Sequence, residues 1–241
     1  MAAPHKPEIK LEDIPAARTV DVIIISAATN PALQKETEYC LQTLFQSETD
    51  VRFNVVVVES ARSVSYAHPQ VNTIHPNVTF GYHRYLNIGR KLGHAPYVCL
   101  CNNDLEFEPG WASSMIERME ADPELMSSSP YCRQSHAERD IQPYTKDLVG
   151  YDIRYRIAGW CIFQRRSIYD VIGDLDEQFV FWYADNDYGR TLEHHQLKHA
   201  LITHSVVNHK TSQTLKTRPP SEKRLLTRRQ KAIFDKKWNR K

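Results

Sequence analysis

Tyr97-Val-Cys-Leu-Cys-Asn-Asn-Asp-Leu-Glu-Phe-Glu-Pro-Gly-Trp111 is the stretch on which the reading of this chain turns. Its first five residues are apolar, long enough for a buried strand and too short for a helix. Polarity then changes abruptly at Asn102-Asn103-Asp104, Pro109-Gly110 marks a turn, and a helical pattern starts at Trp111. A carboxylate just past the end of a buried strand lies where open α/β sheets bind ligands, in the crevice at the carboxyl ends of their strands. Its hard oxygens suit Mg²⁺ or Mn²⁺, held by one or two carboxylates together with substrate phosphates. Asp104 is therefore a candidate metal ligand. The alternative is a plain strand-to-helix turn, in which Asn and Asp serve backbone hydrogen bonds.

Working outward, Val20–Ile25 and Phe53–Val58 are apolar, β-branched runs that read as buried strands. The first ends in Ser26-Ala-Ala-Thr-Asn-Pro31 and the second in Glu59-Ser60. Helices are expected over 35–46, 85–92, 111–120 and 165–173, with a short strand over 77–80. The stretch 127–155, which includes His136, Arg139 and Tyr144, reads as a polar, irregular loop of the length that is usually functional or disordered. A strand over 157–163 is interrupted by Gly159, a sign of a bulge or a close approach to a ligand. An aromatic run, Phe179–Tyr183, leads into Ala184-Asp-Asn-Asp-Tyr-Gly189, a helix to Leu197, and two strands, 200–204 and 205–209. The order implies βα units: a Rossmann-related, mostly parallel central sheet flanked by helices. Polar residues then end four apolar segments, at Thr29-Asn30, Glu59, Asp104 and Asp185/Asp187, and His209 ends a fifth. Several such ends in one chain point to a shared crevice.

The 241 residues suffice for one large α/β domain, and 25% charged with 41% hydrophobic residues is ordinary globular composition. No apolar run is long enough to span a membrane, and the first residues lack the apolar core of a signal peptide, so a cytoplasmic protein is expected. Five cysteines with no Cys-x-x-Cys pair speak for a reducing compartment, with Cys99 and Cys101 as packing residues. The net charge of +2 conceals an asymmetry: residues 210–241 hold 12 Lys+Arg against 2 Asp+Glu. That segment reads either as a solvated amphipathic helix or as a contact for an anionic partner such as DNA or a membrane surface. The expected division is an N-terminal arm over 1–19, one domain over 20–209, and a basic tail or helix over 210–241 packed on that domain.

Together these segments resemble the family 2 inverting glycosyltransferases, which have the GT-A fold. Asn102 to Trp111 is similar to the family's Asn-Asn-Asp-x-x-x-x-Pro-Gly-Trp. Ile23–Asn30 is similar to its opening strand and turn, Val57-Val-Glu-Ser60 to its second strand end, and Asn77–Gly81 with Asn87-Ile-Gly89 to its Asn-x-Gly-Phe and Asn-x-Gly segments. Gly159–Arg166, Leu175–Phe179, Ala184–Asp187, Val207–Ser212 and Lys237-Trp238 follow in the family's order. The resemblance covers about residues 20–238. Asn102 stands for the first acid of the Asp-x-Asp motif, Ala184 for a Glu beside the base, and Trp160 for a glycine on the acceptor side.

The resemblance implies a GT-A-like fold and these roles. Ser26, Ala27, Thr29, Asn30, Glu59, Asn87, Asn102 and Asn103 would contact the nucleotide sugar, with Glu59 in place of the Asp that meets uracil. Asp104 would hold Mn²⁺ or Mg²⁺ with His209. Asp185 would be the general base, its alternative role being a helix N-cap. Gly159, Trp160, Trp182 and Asp187 would face sugar or acceptor, with aromatic core packing as the alternative for the tryptophans. His194, His195 and His199 are expected on one helix and solvated. The implied activity is inverting transfer from a nucleotide-diphosphate sugar, a UDP-sugar by preference, to a glycan or lipid-linked saccharide. The other acceptor class is a hydroxymethylated base in DNA, and the non-enzymatic reading is a nucleotide-sugar-binding module. A nucleotidyltransferase would bring a glycine-rich phosphate loop after the first strand, and residues 26–31 contain no glycine.

Overall fold

β-Branched residues fill the first strand on both faces, which demands a cover on both sides. In a computed structural model, which describes residues 11–210 and 220–238, β1 (Thr19–Ser26) lies inside a nine-stranded sheet. Val20, Val22 and Ile24 of β1 meet one core layer, and Ile23 and Ile25 meet the other. The first layer includes Leu44 of α1 (Pro31–Gln46) and Trp111 and Met115 of α3 (Trp111–Ala121). The second includes Leu86 of α2 (Tyr82–Arg90), Ile168 of α5 (Ile168–Ile172) and Tyr188 of α6 (Ala184–His194). Gly89 lets α2 approach: a Cβ there would lie 2.4 Å from Ile23 Cγ2.

β2 (Arg52–Glu59) and β4 (Tyr97–Asn102) flank β1 in parallel, and β3 (Val71–Ile74) extends the parallel half beyond β2. The second half is mixed. β8 (Cys161–Arg165) is antiparallel to both β4 and β6 (Leu125–Tyr131), and β6 runs parallel to the long β9 (Lys198–His209). The short strands β5 (Leu105–Phe107) and β7 (Leu148–Val149) are antiparallel to β9.

Several expectations from the sequence need correction. Residues 77–80 form no strand; the edge strand is β3, whose four residues are half-buried or exposed and lack a run of apolar residues. Residues 127–155 are not one loop, because β6 runs through the core with serines at 127, 128 and 129 fully buried, followed by the short α4 (Arg133–Ala137) and then β7. Serine hydroxyls bonded inside the protein, as Ser127 is to Tyr188 and His199, made this strand look polar. The two final strands are one, with a register shift against β6 between Pro130 and Tyr131. His199 is not on a helix. It is fully buried in β9 between Ser127 Oγ (2.8 Å) and the Arg156 carbonyl (3.0 Å), whereas His194 and His195 are exposed.

Cys99 and Cys101 pack with Cys161 at Sγ separations of 3.4–3.9 Å, and burial raises all three thiols well above their ordinary pKa. A thiol kept protonated behaves as a small apolar group. In the basic C-terminal segment, α7 (Pro220–Trp238) docks on the domain. Gln230 exchanges hydrogen bonds with the backbone at Gln178 and Val180, and Phe234 meets Phe179 and Tyr183. At the other end of the domain Ile14 is buried and Arg18 pairs with Asp50 at 2.9 Å. Residues 1–10 and 211–219 lie outside the described residues, as do the matches to Thr211 and Ser212. Among the described residues, no helix is long and apolar enough to cross a membrane.

Candidate functional site

The turn after β4 fixes the centre of the site. Trp111 anchors it from below: its ring is buried against Phe53 and Phe107, and its Nε1 donates to Ser47 Oγ at 2.9 Å. Between β4 and Trp111, β5 pairs with the end of β9, Leu105 opposite His209, and Lys210 N donates to the Asp104 carbonyl at 2.9 Å. This pairing brings together residues 104 and 209. Asp104 Oδ1 and His209 Nε2 are 3.2 Å apart, within ion-pair distance but without hydrogen-bond geometry, and each is buried with no hydrogen-bond partner. A buried carboxylate oxygen and a buried imidazole nitrogen left unsatisfied side by side are costly unless a third group takes both. An oxygen and an imidazole nitrogen are suitable donors for a divalent cation such as Mn²⁺, so these residues fit the metal expected from the sequence. Trp160 stacks on His209, ring centroids 5.4 Å apart and planes 12° off parallel, which holds the imidazole's orientation.

His209, Asn102 and Asp185 line one cavity of about 360 Å³, with Tyr82, Gly159, Trp160, Phe181 and Trp182 also in its wall. Asp185 sits in the first turn of α6, after Tyr183, whose φ of 62° is left-handed. Backbone strain of this kind is held in place only by its surroundings and concentrates at functional sites. At Gly159 the close neighbour is a side chain of the protein, not a ligand: a Cβ there would lie 2.6 Å from Asp185 Cβ. Burial raises the Asp185 carboxyl above the ordinary carboxylate range, against the Asn186 N–H and the charge of Arg154, which lower it. The Asn186 N–H donates to Oδ1 at 2.9 Å, so the carboxylate bonds its own helix end while facing the cavity. The Tyr82 hydroxyl, 2.8 Å from the Gly159 carbonyl and 3.1 Å from Asn102 Oδ1, ties the α2 start to both sides of the cavity. Trp182 Nε1 is buried without a partner.

Other expected ligands have their polar atoms engaged within the protein. Glu59 is 1% exposed; Oε1 accepts from Ala28 N (3.0 Å) and Ala61 N (2.7 Å), and Oε2 from the Tyr66 hydroxyl (3.0 Å). It clips the ends of β1 and β2 together. Ser26 and Asn103 both meet the Thr37 hydroxyl, at 3.1 and 2.9 Å. Asn30 caps α1, accepting from Ala32 N and Leu33 N at 3.0 and 3.1 Å. Ala27 and Thr29 do not line the cavity, and Thr29 N donates to the Ala27 carbonyl at 2.9 Å. Asn87 lies on α2 with its amide bonded in both directions to the Leu175 backbone, at 2.8 and 3.0 Å. Asp187 is also turned away, accepting from Trp238 Nε1 at 2.7 Å and Lys237 Nζ at 2.8 Å, so it anchors α7. The resemblance placed Asp187 toward sugar or acceptor, whereas its carboxylate is engaged by α7. Tyr82, Phe181 and Arg154 line the cavity and were not foreseen; the Gly81-Tyr82 start of α2 and the aromatic run carried the available signal.

The ordering of strands, helices and crevice is that of the GT-A class of nucleotide-sugar folds. Residues 34–173 match the family described as glycosyl transferase family 2, and the chain belongs to that family. Asp185 and His209 lie beyond the matched segment. GalNAc-T7, in a crystal structure with UDP, GalNAc and Mn²⁺, superposes with a TM-score of 0.60 and 12% identity over 84% of this chain and 45% of that one. The mannosyltransferase PcManGT from Pyrobaculum calidifontis, in complex with GDP-Man and Mn²⁺, gives 0.58 and 14% over 81% of this chain and 57% of that one. The chain thus spans about half the length of these structural neighbours. No curated protein matches its sequence.

Proposed function

We propose that this chain is an inverting glycosyltransferase that moves a sugar from a nucleotide-diphosphate sugar to an acceptor hydroxyl. The observation that carries the reading is the unsatisfied Asp104–His209 pair beside a cavity that also holds the buried carboxylate of Asp185. Asp104 and His209 would hold the divalent cation, which supplies charge stabilisation for the leaving diphosphate. Asp185 accepts the proton of the acceptor hydroxyl as that oxygen forms its bond to the anomeric carbon. The bond from that carbon to the diphosphate oxygen breaks and leaves its electron pair on the nucleotide diphosphate; the proton passes from Asp185 to solvent. One carboxylate serving a single displacement inverts the anomeric centre. Trp160 and Trp182 offer aromatic faces to sugar or acceptor. The donor is a UDP-sugar by resemblance, the acceptor a glycan or lipid-linked saccharide, and a hydroxymethylated DNA base is the other class consistent with the basic α7. Residues 20–209 form the catalytic unit. The free, buried cysteines support a reducing compartment such as the cytoplasm.

The test is release of nucleotide diphosphate from a panel of nucleotide sugars with Mn²⁺, Mg²⁺ or EDTA. Turnover of one donor that is lost in EDTA and in Asp104→Ala supports the reading. A folded protein that neither turns over nor binds any donor refutes it. Donor binding with no turnover in any acceptor mixture would leave the binding module.

A further inference from the structure

The wall of the cavity formed by α4 and the segments after it carries arginines that the transfer chemistry above does not use. Arg139 and Arg154 both line it, with Ser135, His136 and Glu138. Nearby arginines are neutralised: Arg133 by Glu108 and Arg156 by Asp152, as Arg118 is by Asp147 and Arg190 by Glu193. Among the described residues, neither Arg139 nor Arg154 has a carboxylate in ion-pair contact. Arg154 is also held in place. Its φ is 72°, and the loop around it is closed by Arg156 N and Ile157 N donating to the Asp152 carbonyl, at 2.8 and 3.1 Å, and by Arg154 N donating to Ile157 O at 2.9 Å. The backbone at the tip of this cross-bonded loop is set before any ligand arrives, and the exposed Arg154 side chain extends from it. Arg139 lies over the Tyr155 ring at 5.7 Å and donates to the Ser135 carbonyl.

His136 adds a neutral donor. Cys132 N donates to its Nδ1 at 2.7 Å, and burial lowers its pKa to about 4, so the ring is neutral with its proton on Nε2. Of the acids in the wall, Glu138 is exposed and screened by water, and Asp185 is the proposed base. Guanidinium forks on one cavity wall and an imidazole N–H are the donors that phosphate oxygens take.

We propose that the acceptor carries a phosphate near the attacked hydroxyl, and that Arg139 and Arg154 bind it. This rests on the transferase reading and narrows its acceptor. The phosphate belongs either to a polynucleotide or to a phosphorylated carrier of a saccharide, and the chemistry recognised is the same.

The probe is phenyl phosphate, titrated calorimetrically into the full chain loaded with Mn²⁺ and nucleotide diphosphate, with benzyl alcohol as the neutral control. Phenyl phosphate should bind and benzyl alcohol should not, and Arg154→Gln and Arg139→Gln should each weaken phenyl phosphate by about tenfold. Transfer to a hydroxymethylpyrimidine oligonucleotide, a polyprenyl-diphosphate saccharide and a neutral disaccharide then identifies the source. Equal phenyl phosphate affinity in the double variant overturns the proposal, as does a neutral disaccharide used by the parent with the same kcat/KM as the phosphate-bearing acceptors. Nucleotide-diphosphate affinity falling as far as that for phenyl phosphate moves the arginines to the donor. An unchanged phenyl phosphate affinity, with the pH–rate profile of Arg154→Gln displaced upward, assigns Arg154 to Asp185 and overturns the proposal. Failure of the transferase reading is seen separately, as no nucleotide-diphosphate binding by the parent protein with Mn²⁺.

Discussion

Burial makes Asp185 costly to ionise, and the role of base proposed for it requires the ionised form. Burial raises its pKa, so the acid limb of the pH–rate profile should lie above the ordinary carboxylate range, with activity rising as pH rises through it. The stability sign is opposite. A carboxyl whose folded pKa is raised favours folding when protonated, and that contribution is lost as pH rises through the folded value. Asp185→Asn keeps an oxygen for the Asn186 N–H and removes the charge. It should cut turnover by about 10²–10⁴-fold without lowering Tm at pH 7, as read by donor turnover and a thermal melt on the same sample. Trp160 supplies a readout of the metal that needs no catalysis. Because its ring stacks on His209, Mn²⁺ should quench part of the tryptophan fluorescence, and Trp160→Phe should remove that part. Quenching retained in Trp160→Phe would place the ion elsewhere.

At the scale of elements, α7 owes its position to a few contacts with the catalytic domain. Trp238 Nε1 shares Asp187 with Lys237 Nζ, and the ring lies against His194. Trp238→Ala leaves a nearly buried carboxylate short of one donor and should destabilise the protein by about 1–3 kcal/mol, measured as a shift in the urea midpoint. The elements legible in the sequence were those with continuous apolar runs, β1, β2 and β4, and the helices with a stop signal. β6 was missed because buried serines look like loop residues until their partners are known, and β3 because an edge strand need not be apolar. The same limit applied within the site. Asp104, His209 and Gly159 stood out as candidates because polar residues or a glycine interrupted apolar runs, and Asp185 was separated from Asp187 by the family resemblance alone. Glu59, Asn87 and Asp187 carry the same chemical groups, and only the fold shows that backbone amides, tyrosine or α7 already occupy them.

For the whole molecule, acid is the condition to which the fold is most exposed. His83, His136 and His199 are buried, and burial lowers each pKa, to about 4 for His136 and His199. A lowered folded pKa gives stability that is complete above the unfolded value, near 6.5, and is lost as pH falls toward the folded one. Each of the two deepest shifts is worth on the order of 3 kcal/mol across that window. Urea midpoints should fall steeply between pH 6.5 and pH 4, and His199→Gln should flatten the fall.

The pairing of β5 with β9 also bears on how the protein is made. A ribosome delivers Asp104 about a hundred residues before His209, and the segment that matches the family ends at residue 173. His209 follows only after α6 and almost all of β9 have emerged. A nascent chain of 173 residues therefore has the crevice floor but neither the imidazole nor the carboxylate of Asp185. Such a chain lacks one of the two proposed cation donors and the proposed base, so on the reading above it should neither hold Mn²⁺ through both donors nor turn over a nucleotide sugar.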